Sequence, residues 1–482
     1  MKESKIPFYI TTALPYVNAE PHIGHATEMV RADIIARFKR LSGRDVFFNV
    51  GTDEHGQKVY TKAVEAGRDP KEYVDEYAER FKSLAESLSI SYDHFTRTTD
   101  PLHITAVQKF WKMCSERGFI YKKTYKGLYC VSDEMFITQK DIINGRCPDH
   151  PNSELVSFEE ENYFFKFSAF ENGLLSLYQT KPELVVPPGR LNEIKSFVKR
   201  GLEDFSISRL KEKMPWGIAV PGDPSQVMYV WFDALVNYIS SIGWPDSSSF
   251  KRFWVESGGV VQYCGKDNLR QQAAIWQAML LSTGLPPSRQ IVIDGFILTA
   301  GEKMSKSVGN VVNPVDLIKI YGADALRFYI ARDMHPFEDS DFTLEKFRES
   351  YNGNLANGLG NLVSRLLSMT SRYDVLFKTP WPSTFPEHYT SFLDRYEINK
   401  AAEVIWHEIA ELDRDIQKNE PFKTIKTDEA KTKVFLNGCL SRLATIAFLL
   451  QPFLPDTAQK IKELIEKNIP PATPLFPRKD ES

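Results

Sequence analysis

The chain has 482 residues, too many for one compact core, so we expect several domains. Hydrophobic residues make up 42% and charged residues 26%, a globular composition that excludes disorder as the overall state. The net charge of −3 excludes a protein that is basic overall, although a local basic surface could still bind nucleic acid. The N-terminus has no apolar signal core, no apolar run approaches the length of a membrane span, and five cysteines are too few for a disulfide framework. We therefore expect a soluble, cytoplasmic protein with no membrane partner.

The N-terminal part of the chain predicts alternating strands and helices. Residues 8–11 form a short apolar strand, and a loop rich in proline and histidine leads from it to a helix over 24–43. A second buried strand at 45–50 ends in polar residues, and helical patterns follow at 57–89 and 101–117. This alternation is typical of a parallel sheet, whose ligands bind beyond the carboxyl ends of the strands.

The alternation stops near residue 118 and resumes near residue 226, so an aromatic stretch rich in glycine and proline interrupts it. We predict further strands at 227–232, 260–264 and 290–293. After residue 340 only helical periodicity remains, at 359–369, 401–416 and 433–450. The predicted fold class is therefore α/β: a doubly wound, Rossmann-type parallel sheet that is split by an insertion and followed by an all-α helical bundle.

Two histidines lie where the first strand leads into its helix, in the run Pro-His-Ile-Gly-His at 21–25. A helix N-terminus offers unpaired N–H groups and the positive end of a dipole, which together bind anions. His22 and His25 can donate hydrogen bonds to a phosphate, and Gly24, which has no Cβ, lets a flat base approach the backbone. Taken alone, the run equally allows one histidine that caps the turn and another on the surface.

A second loop, far along the chain, suits a polyphosphate. Residues 301–310 read Gly-Glu-Lys-Met-Ser-Lys-Ser-Val-Gly-Asn, which places Lys303 and Lys306 three positions apart among small residues. Their ammonium groups can meet the charge that develops on a phosphate during a reaction. A loop of this kind is usually solvated surface, but its combination with the two histidines is far more specific.

The two loops together resemble the HIGH and KMSKS signatures of the class I aminoacyl-tRNA synthetases. Other runs are similar to methionyl-tRNA synthetases in particular: Thr-Ala-Leu-Pro-Tyr-Val-Asn at 12–18, Gly-Thr-Asp-Glu-His-Gly-Gln at 51–57, Tyr-Val-Trp-Phe-Asp-Ala at 229–234 and Gly-Lys-Asp at 265–267. The resemblance extends from residue 6 to about residue 460. It implies that methionine reacts with ATP to give methionyl-adenylate and pyrophosphate, and that the terminal adenosine of tRNA(Met) then receives the methionyl group. Such a reaction needs positioning and charge stabilisation rather than a protein nucleophile.

The resemblance also implies roles for individual residues. His22 and His25 would bind the phosphates, and Lys306, supported by Lys303, would bind the pyrophosphate leaving group, with Mg²⁺ accompanying ATP. Gly24, Gly265 and Asp267 complete the ATP-binding set, the last two at the ribose. The methionine-binding set is Ala13, Leu14, Tyr16, Asp53, Trp231, Ala234, Tyr238, Gln272 and Trp276.

Within the methionine-binding set, Asp53 would pair with the substrate ammonium group; a loop-capping carboxylate is the alternative. An aromatic pocket suits the long, weakly polar side chain of methionine, although each aromatic residue taken singly is more often part of the core. Gln272 stands where many members of the family carry a histidine near the thioether. An amide there can still donate a hydrogen bond.

The insertion and the helical part each carry one more implied site. Cys130, Asp133, Cys147 and His150 have the spacing of a zinc knuckle, with the aspartate in place of the usual cysteine; two free thiols and a surface histidine are the alternative. Asn361 and Arg365, four apart on one predicted helix, and Phe422 after a Glu-Pro pair match the anticodon contacts of the family. A surface Asn and Arg with a core Phe is the alternative. We expect a monomer.

We divide the chain on this basis into six segments. They are 1–117, the first half of a Rossmann-type catalytic domain; 118–225, the connective insertion; 226–295, the second half of the catalytic domain; 296–345, the region of the KMSKS loop; 346–468, the anticodon-binding bundle; and 469–482, a tail. The rival interpretations are a class I synthetase for another apolar amino acid, or a methionine enzyme of relaxed specificity, and a tRNA-binding relative without catalysis. Two intact signature loops argue against the last of these.

Overall fold

The computed structural model describes residues 5–130, 135–137, 142, 145–148, 154–299, 301–303 and 312–479, with the backbone alone described at 125–127, 129, 135–137, 158–159 and 302–303. The chain divides into two compact units. The first comprises residues 1–21, 45–83 and 92–294, and the second comprises residues 22–44, 84–91 and 295–482. Strands and helices are numbered below in chain order.

A six-stranded, fully parallel sheet forms the centre of the first unit. Its strands are β1 (Pro7–Thr12), β2 (Asp45–Thr52), β3 (His94–Arg97), β7 (Val185–Val186), β12 (Val260–Gly265) and β13 (Gln290–Asp294), in the spatial order β3-β2-β1-β12-β13-β7. All six residues of β1 are buried, and Tyr9 pairs with Phe47 on one side and Val260 on the other. The predicted parallel sheet and four of its predicted strands are confirmed.

Helices and two smaller antiparallel sheets complete the first unit. The helices are α2 (Gln57–Glu65), α3 (Pro70–Ser87, whose last turn belongs to the second unit), α4 (Pro101–Glu116), α5 (Glu171–Thr180), α6 (Pro188–Lys199), α7 (Val230–Ala234), α8 (Asn237–Ser240), α9 (Ser248–Phe250) and α10 (Trp276–Thr283). One small sheet contains β4 (Ile120–Cys130), β5 (Met135–Ile137), β6 (Leu155–Phe165) and β8 (Phe205–Ser206), and the other contains β9 (Ser208–Leu210), β10 (Ala219–Val220) and β11 (Asp223–Met228). The core contains a group of contacting aromatic rings, in which Phe110 contacts Phe232, Trp244 and Trp276.

Two local expectations differ from the structure, and two short strands were not predicted. The predicted strand at 227–232 is wrong, because β11 ends at Met228 and α7 begins at Val230. A short, continuously apolar run does not distinguish a buried strand from a buried helix. The helical pattern at 57–89 is two helices, the second of which begins at Pro70, a residue favoured in the first turn of a helix. The short strands β3 and β7 carry too few residues for their periodicity to show.

The second unit is mainly helical. Its helices are α1 (Ile23–Leu41), α11 (Pro314–Tyr321), α12 (Ala323–Arg332), α13 (Leu344–Ser350), α14 (Asn361–Arg372), α15 (Glu387–Asp394), α16 (Ile398–Asn419), α17 (Pro421–Thr424), α18 (Glu429–Leu450) and α19 (Pro455–Lys467). A π-helical segment, Tyr351–Gly360, joins α13 to α14, and β14 (Ile297–Thr299), β15 (Glu302–Lys303) and β16 (Ser340–Asp341) form a small sheet. The predicted all-α region after residue 340 is confirmed apart from the two residues of β16.

A buried ionic cluster ties α1 to α12. Asp33 and Arg327 are both fully buried and form an ion pair of 2.7 Å, and Arg37 pairs with the same carboxylate at 2.7 Å. Arg327 also donates to the backbone carbonyl oxygens of Leu88, Pro452 and Phe453. Because every charge in the cluster has partners, its burial is compatible with a stable fold.

Helix α18 is long and apolar enough to cross a membrane by length and composition, with a mean hydropathy of 1.4 in its most apolar window. The expectation that no apolar run approaches this length is therefore wrong. More than half of that window is buried within the protein, and Leu436, Leu440 and Leu443 are almost fully so. This degree of burial is typical of a core helix in a bundle.

Candidate active site

Helix α1 begins at a turn that two histidines close. His22 is the N-cap, and its Nδ1 accepts a hydrogen bond from the backbone N–H of Gly24 at 3.1 Å. The Nδ1 of His25 accepts in turn from the backbone N–H of His22 at 3.2 Å, and the two rings stack 3.8 Å apart. The side chains thus satisfy two of the N–H groups at the start of the helix. The alternative of one capping and one surface histidine is wrong, because both close the turn and both are half-buried.

These bonds fix how the imidazole rings meet a ligand. Burial, with a smaller contribution from His22, holds the pKa of His25 well below its ordinary value, so this ring is neutral at physiological pH. When Nδ1 accepts a hydrogen bond, the proton of a neutral imidazole is on Nε2. Each ring therefore offers an Nε2–H donor beside the positive end of the α1 dipole, which suits an anion.

Gly24 is required by the turn itself. A Cβ at this position would lie 2.9 Å from Cε1 and 3.0 Å from Nδ1 of His22, closer than carbon atoms pack. The sequence suggested only that the missing Cβ admits a base. The structure adds that it also makes room for the capping imidazole.

The start of α1 is bonded to the segment that follows the second signature loop. The backbone N–H of Ile23 donates to the carbonyl oxygen of Val312 at 3.1 Å. The backbone of Lys303 belongs to β15, opposite Leu298, whereas its side chain and all of Lys306 lie outside the described part of the protein. The described residues thus bring the end of the loop segment to the turn at His22, nearly 300 positions away in sequence.

In the first unit, Asp53 follows β2 and is held against the loop after β1. Its backbone N–H donates to the oxygen of Pro15 at 2.9 Å, and its oxygen accepts from Val17 at 3.2 Å. Tyr16 and Asp53 accordingly form a parallel bridge. The side chain of Asp53 is 1% exposed. Leu14 and Tyr16, both half-buried, lie in this loop, and Ala13 is bonded through its N–H to β12.

The predicted aromatic pocket residues form two contacting pairs. The rings of Tyr16 and Trp231 meet edge to face at 6.0 Å, and those of Tyr238 and Trp276 lie 5.8 Å apart. Trp231 and Ala234 belong to the same short helix, α7. Trp231 is half-buried, and its indole N–H meets no acceptor among the described residues. A polar group of a ligand could fill that position.

Gln272 is buried and has two side-chain partners. Its Nε2 donates to the hydroxyl of Tyr238 at 2.7 Å, and its Oε1 accepts from Nε2 of Gln262 on β12. The predicted amide donor is thus fixed in orientation by a residue that the sequence did not single out. Gln262 lies in a buried apolar strand, and a polar residue in such a place is the signal that could have identified it.

At the carboxyl edge of the sheet, the predicted ribose-binding residues follow β12. Gly265 is its last residue and lies beside Asp294, the last residue of β13. Asp267 is exposed two positions later. This is the edge at which ligands of doubly wound sheets bind.

The predicted zinc site lies only partly within the described residues. Cys130 and Cys147 are buried and pack in one cluster with Ile142 and Leu155, whereas Asp133 and His150 lie outside the described residues. Among the residues that the structure describes, no group of three or more histidine, cysteine or carboxylate side chains could hold a metal. Two of the four proposed ligands are therefore adjacent, and the ligand set itself stays a prediction.

In the second unit, the predicted anticodon contacts lie at helix starts. Asn361 is the exposed first residue of α14, and Arg365, one turn later, is bonded to Asp413 of α16. Phe422 is in the first turn of α17 and is 50% exposed, so the alternative of a core phenylalanine is wrong.

Asp413 also lines a cavity of about 630 Å³. The π-helical segment contributes Asn354 and Asn357 to its lining, and α16 contributes Trp406. The Trp406 side chain is 8% exposed, and its indole N–H meets no acceptor among the described residues. Amides, an unmet donor and an aromatic ring are groups that suit an unstacked base.

Known proteins resemble this chain over almost its whole length. A family model described as "tRNA synthetases class I (M)" matches residues 8–156 and 152–367, and one described as "Anticodon binding domain of methionyl tRNA ligase" matches residues 384–472. The methionine–tRNA ligase of Caldanaerobacter subterraneus subsp. tengcongensis is 39% identical over 479 residues, which are 95% of this chain and 74% of that protein. The methionine–tRNA ligase of Brucella suis is 38% identical over 480 residues, which are 96% of this chain and 92% of that protein.

Solved structures agree with the sequence comparison. The structure of Mycobacterium tuberculosis methionyl-tRNA synthetase in complex with methionyl-adenylate has a TM-score of 0.90 and 35% sequence identity. The alignment covers 98% of this chain and 100% of that chain. Its apo form has a TM-score of 0.83 and 32% identity.

Proposed function

Because the chain belongs to the methionyl-tRNA synthetases of class I, which are aminoacyl-tRNA ligases, we propose the following division of its chemistry among the residues described above. The methionine carboxylate attacks the α-phosphate of ATP, pyrophosphate leaves, and methionyl-adenylate forms. The terminal adenosine of tRNA(Met) then takes the methionyl group. Neither step needs a protein nucleophile, so the residues act by positioning and by charge stabilisation.

The phosphates are the ligand of the turn at His22 and His25. The observation that carries this assignment is the reciprocal cap at a helix N-terminus, in which both Nδ1 atoms accept and the ring protons are therefore on Nε2. A neutral N–H donor can keep its hydrogen bond to a phosphate throughout the reaction, because the bond requires no change of protonation. Lys306, with Lys303 in support, binds the leaving pyrophosphate, and Mg²⁺ accompanies ATP. Gly24 and the pair Gly265 and Asp267 hold the adenosine.

Methionine occupies the aromatic pocket of the first unit. Its ammonium group pairs with the buried carboxylate of Asp53. Its side chain lies against Ala13, Leu14, Tyr16, Trp231, Ala234, Tyr238, Gln272 and Trp276, among which Tyr16 contacts Trp231, and Tyr238 contacts Trp276 and Gln272. The amide of Gln272 is held in place by Gln262, and it orients the hydroxyl of Tyr238 within this pocket. Selection against smaller amino acids then depends on filled volume, which contributes about 1–3 kcal/mol per methylene.

The helical bundle of the second unit reads the anticodon of tRNA(Met). Phe422 offers an exposed ring for stacking, and Asn361 and Arg365 offer base-edge donors. The cavity that Asp413 and Trp406 line adjoins Arg365 through the Arg365–Asp413 bond and is large enough for a base. The connective insertion, 118–225, guides the acceptor end, and Zn²⁺ on Cys130, Asp133, Cys147 and His150 would stabilise its tip. A cytoplasmic monomer with the six-segment division given above completes the proposal.

A panel of amino acids in the exchange of pyrophosphate into ATP tests the assignment of substrate. Methionine should support exchange and other apolar amino acids should support far less; a chain that fails to respond to methionine would refute the proposal. Lys306→Ala should abolish exchange while leaving tRNA binding intact. The matched control is Lys319→Ala, which removes a highly exposed lysine on α11 and should change neither property. Loss of tRNA binding in Lys306→Ala would contradict the division of roles.

A further inference from the structure

Asp53 is followed by two residues that are clamped in place. The buried carboxylate of the first, Glu54, forms a bidentate ion pair with Arg97, at 2.6 and 2.8 Å, and accepts from Thr52 at 2.7 Å. The backbone oxygen of Glu54 accepts from the indole N–H of Trp216 at 2.6 Å. Bidentate pairing with arginine fixes a carboxylate in direction as well as distance. The backbone just after Asp53 is therefore anchored to β3 and its loop.

The second clamp, at His55, is a buried cluster of two histidines and one carboxylate. Nδ1 of His55 donates to Asp233 at 2.7 Å, and Nε2 of His103 donates to its other oxygen at 2.8 Å. Nδ1 of His103 is bonded to the hydroxyl of Ser240 at 2.8 Å. Although burial opposes ionisation, the two histidines hold the pKa of Asp233 below its ordinary value. The carboxylate is fully buried, so its hydrogen bonds are strong and costly to lose.

The two ends of this cluster belong to different parts of the proposed amino-acid site. His55 is two positions after Asp53, the partner of the substrate ammonium group. Asp233 is on α7 between Trp231 and Ala234, which contact the substrate side chain in the proposed pocket. The 2.7 Å bond between His55 and Asp233 joins the ammonium end of the pocket to its side-chain end, and all these residues lie in the first unit.

We propose that Asp233, through His55, is a positioning residue that sets the separation between the Asp53 carboxylate and the pocket formed by Trp231 and Ala234, and thereby the length of amino acid that the enzyme accepts. The inference rests on the proposed methionine site. His103 acts differently: it joins the same carboxylate to α4, which carries no proposed substrate contact, and to Ser240 on α8, which carries Tyr238 of the pocket but not the Asp53 end. Its bond stabilises the cluster without linking the two ends of the pocket.

A length series of thioether amino acids in pyrophosphate exchange tests the inference: S-methylcysteine, methionine and ethionine, which differ by one methylene each. In Asp233→Asn, an amide with a single acceptor oxygen replaces a carboxylate that accepts one hydrogen bond from His55 and one from His103. We expect the KM for methionine to rise about tenfold, with the KM for ATP within about twofold, because the lost bond positions only the amino acid. The preference for methionine over the shorter and longer homologues should fall about fivefold or more. His55→Gln should reproduce both effects, and the double variant should be no worse than either single variant.

His103→Gln is the matched control. It perturbs the same carboxylate and should lower the melting temperature, yet leave the KM for methionine and the length preference within about twofold of the parent. Equal changes of length preference in His103→Gln and Asp233→Asn, or unchanged preference in folded Asp233→Asn and His55→Gln, would overturn the inference. If the parent protein supports exchange with methionine and the variants keep its length preference, only the inference fails. If the parent does not respond to methionine, the proposed function fails first.

Discussion

Replacement of Gly24 by alanine tests the histidine turn with one methyl group. The new Cβ would lie 2.9 Å from Cε1 and 3.0 Å from Nδ1 of His22. Because the new Cβ is bonded to the backbone of α1 and cannot yield, the imidazole must swing away. It then loses both its hydrogen bond from the N–H of residue 24 and its stacking on His25.

The expected effects on stability and on activity differ in size. Alanine favours a helix over glycine by up to about 1 kcal/mol, and loss of an N-cap costs about 1 kcal/mol, so the free energy of unfolding should change by less than about 1 kcal/mol. A displaced His22 no longer donates to the phosphate, and loss of one preorganised donor costs about 3 kcal/mol of transition-state stabilisation. We therefore expect kcat/KM to fall by about two orders of magnitude.

The assay is methionine-dependent exchange of pyrophosphate into ATP, together with urea unfolding of the same preparation. Gly438→Ala on α18 is the control, because a Cβ there meets nothing within 4 Å. It should be neutral or slightly stabilising and should leave exchange unchanged. A folded Gly24→Ala protein with the exchange rate of the parent would refute the assignment of His22 to the phosphates.

Three further predictions concern the buried polar groups. Arg327→Met leaves the carboxylate of Asp33 buried with weaker compensation, and urea unfolding should show a loss of about 3 kcal/mol, part of which Asp33→Asn in the same chain restores. Burial opposes ionisation of Asp33, yet Arg327 and other partners hold its pKa below the ordinary value. The folded state thus binds this proton at lower pH than the unfolded state, so the stability it contributes is present above about pH 4 and is lost as the pH falls further. A pH series of unfolding free energies should be shallower in acid for Asp33→Asn. Gln272→Leu removes the hydrogen bonds to Gln262 and to the Tyr238 hydroxyl, and should lower the free energy of unfolding by about 1–3 kcal/mol and raise the KM for methionine.

The order of elements followed from the sequence because it depends on local patterns. Strand β1, helix α1 and strand β2 each have a period, a burial pattern or a stop signal within their own residues. The signature loops, similarly, are runs of neighbours, so the histidine turn and the family could be identified before any contact was known. The bundle helices α16 and α18 were found in the same way.

Only the tertiary structure decided which residues distant in the sequence are in contact. Asp233 meets His55 across 178 positions and His103 across 130, and Gln262 meets Gln272 in a buried layer that local periodicity describes only as apolar. The two-residue strand β7 exists only because β13 offers it an edge to pair with. Likewise, the run after Met228 forms the largely buried helix α7, although a short apolar run by itself fits a strand as well as a helix. Local conformational preferences decide which segments become strands or helices. The partners of buried polar groups are decided by packing instead, because an unpaired buried donor or acceptor costs more free energy than the helix or strand preference of a single residue.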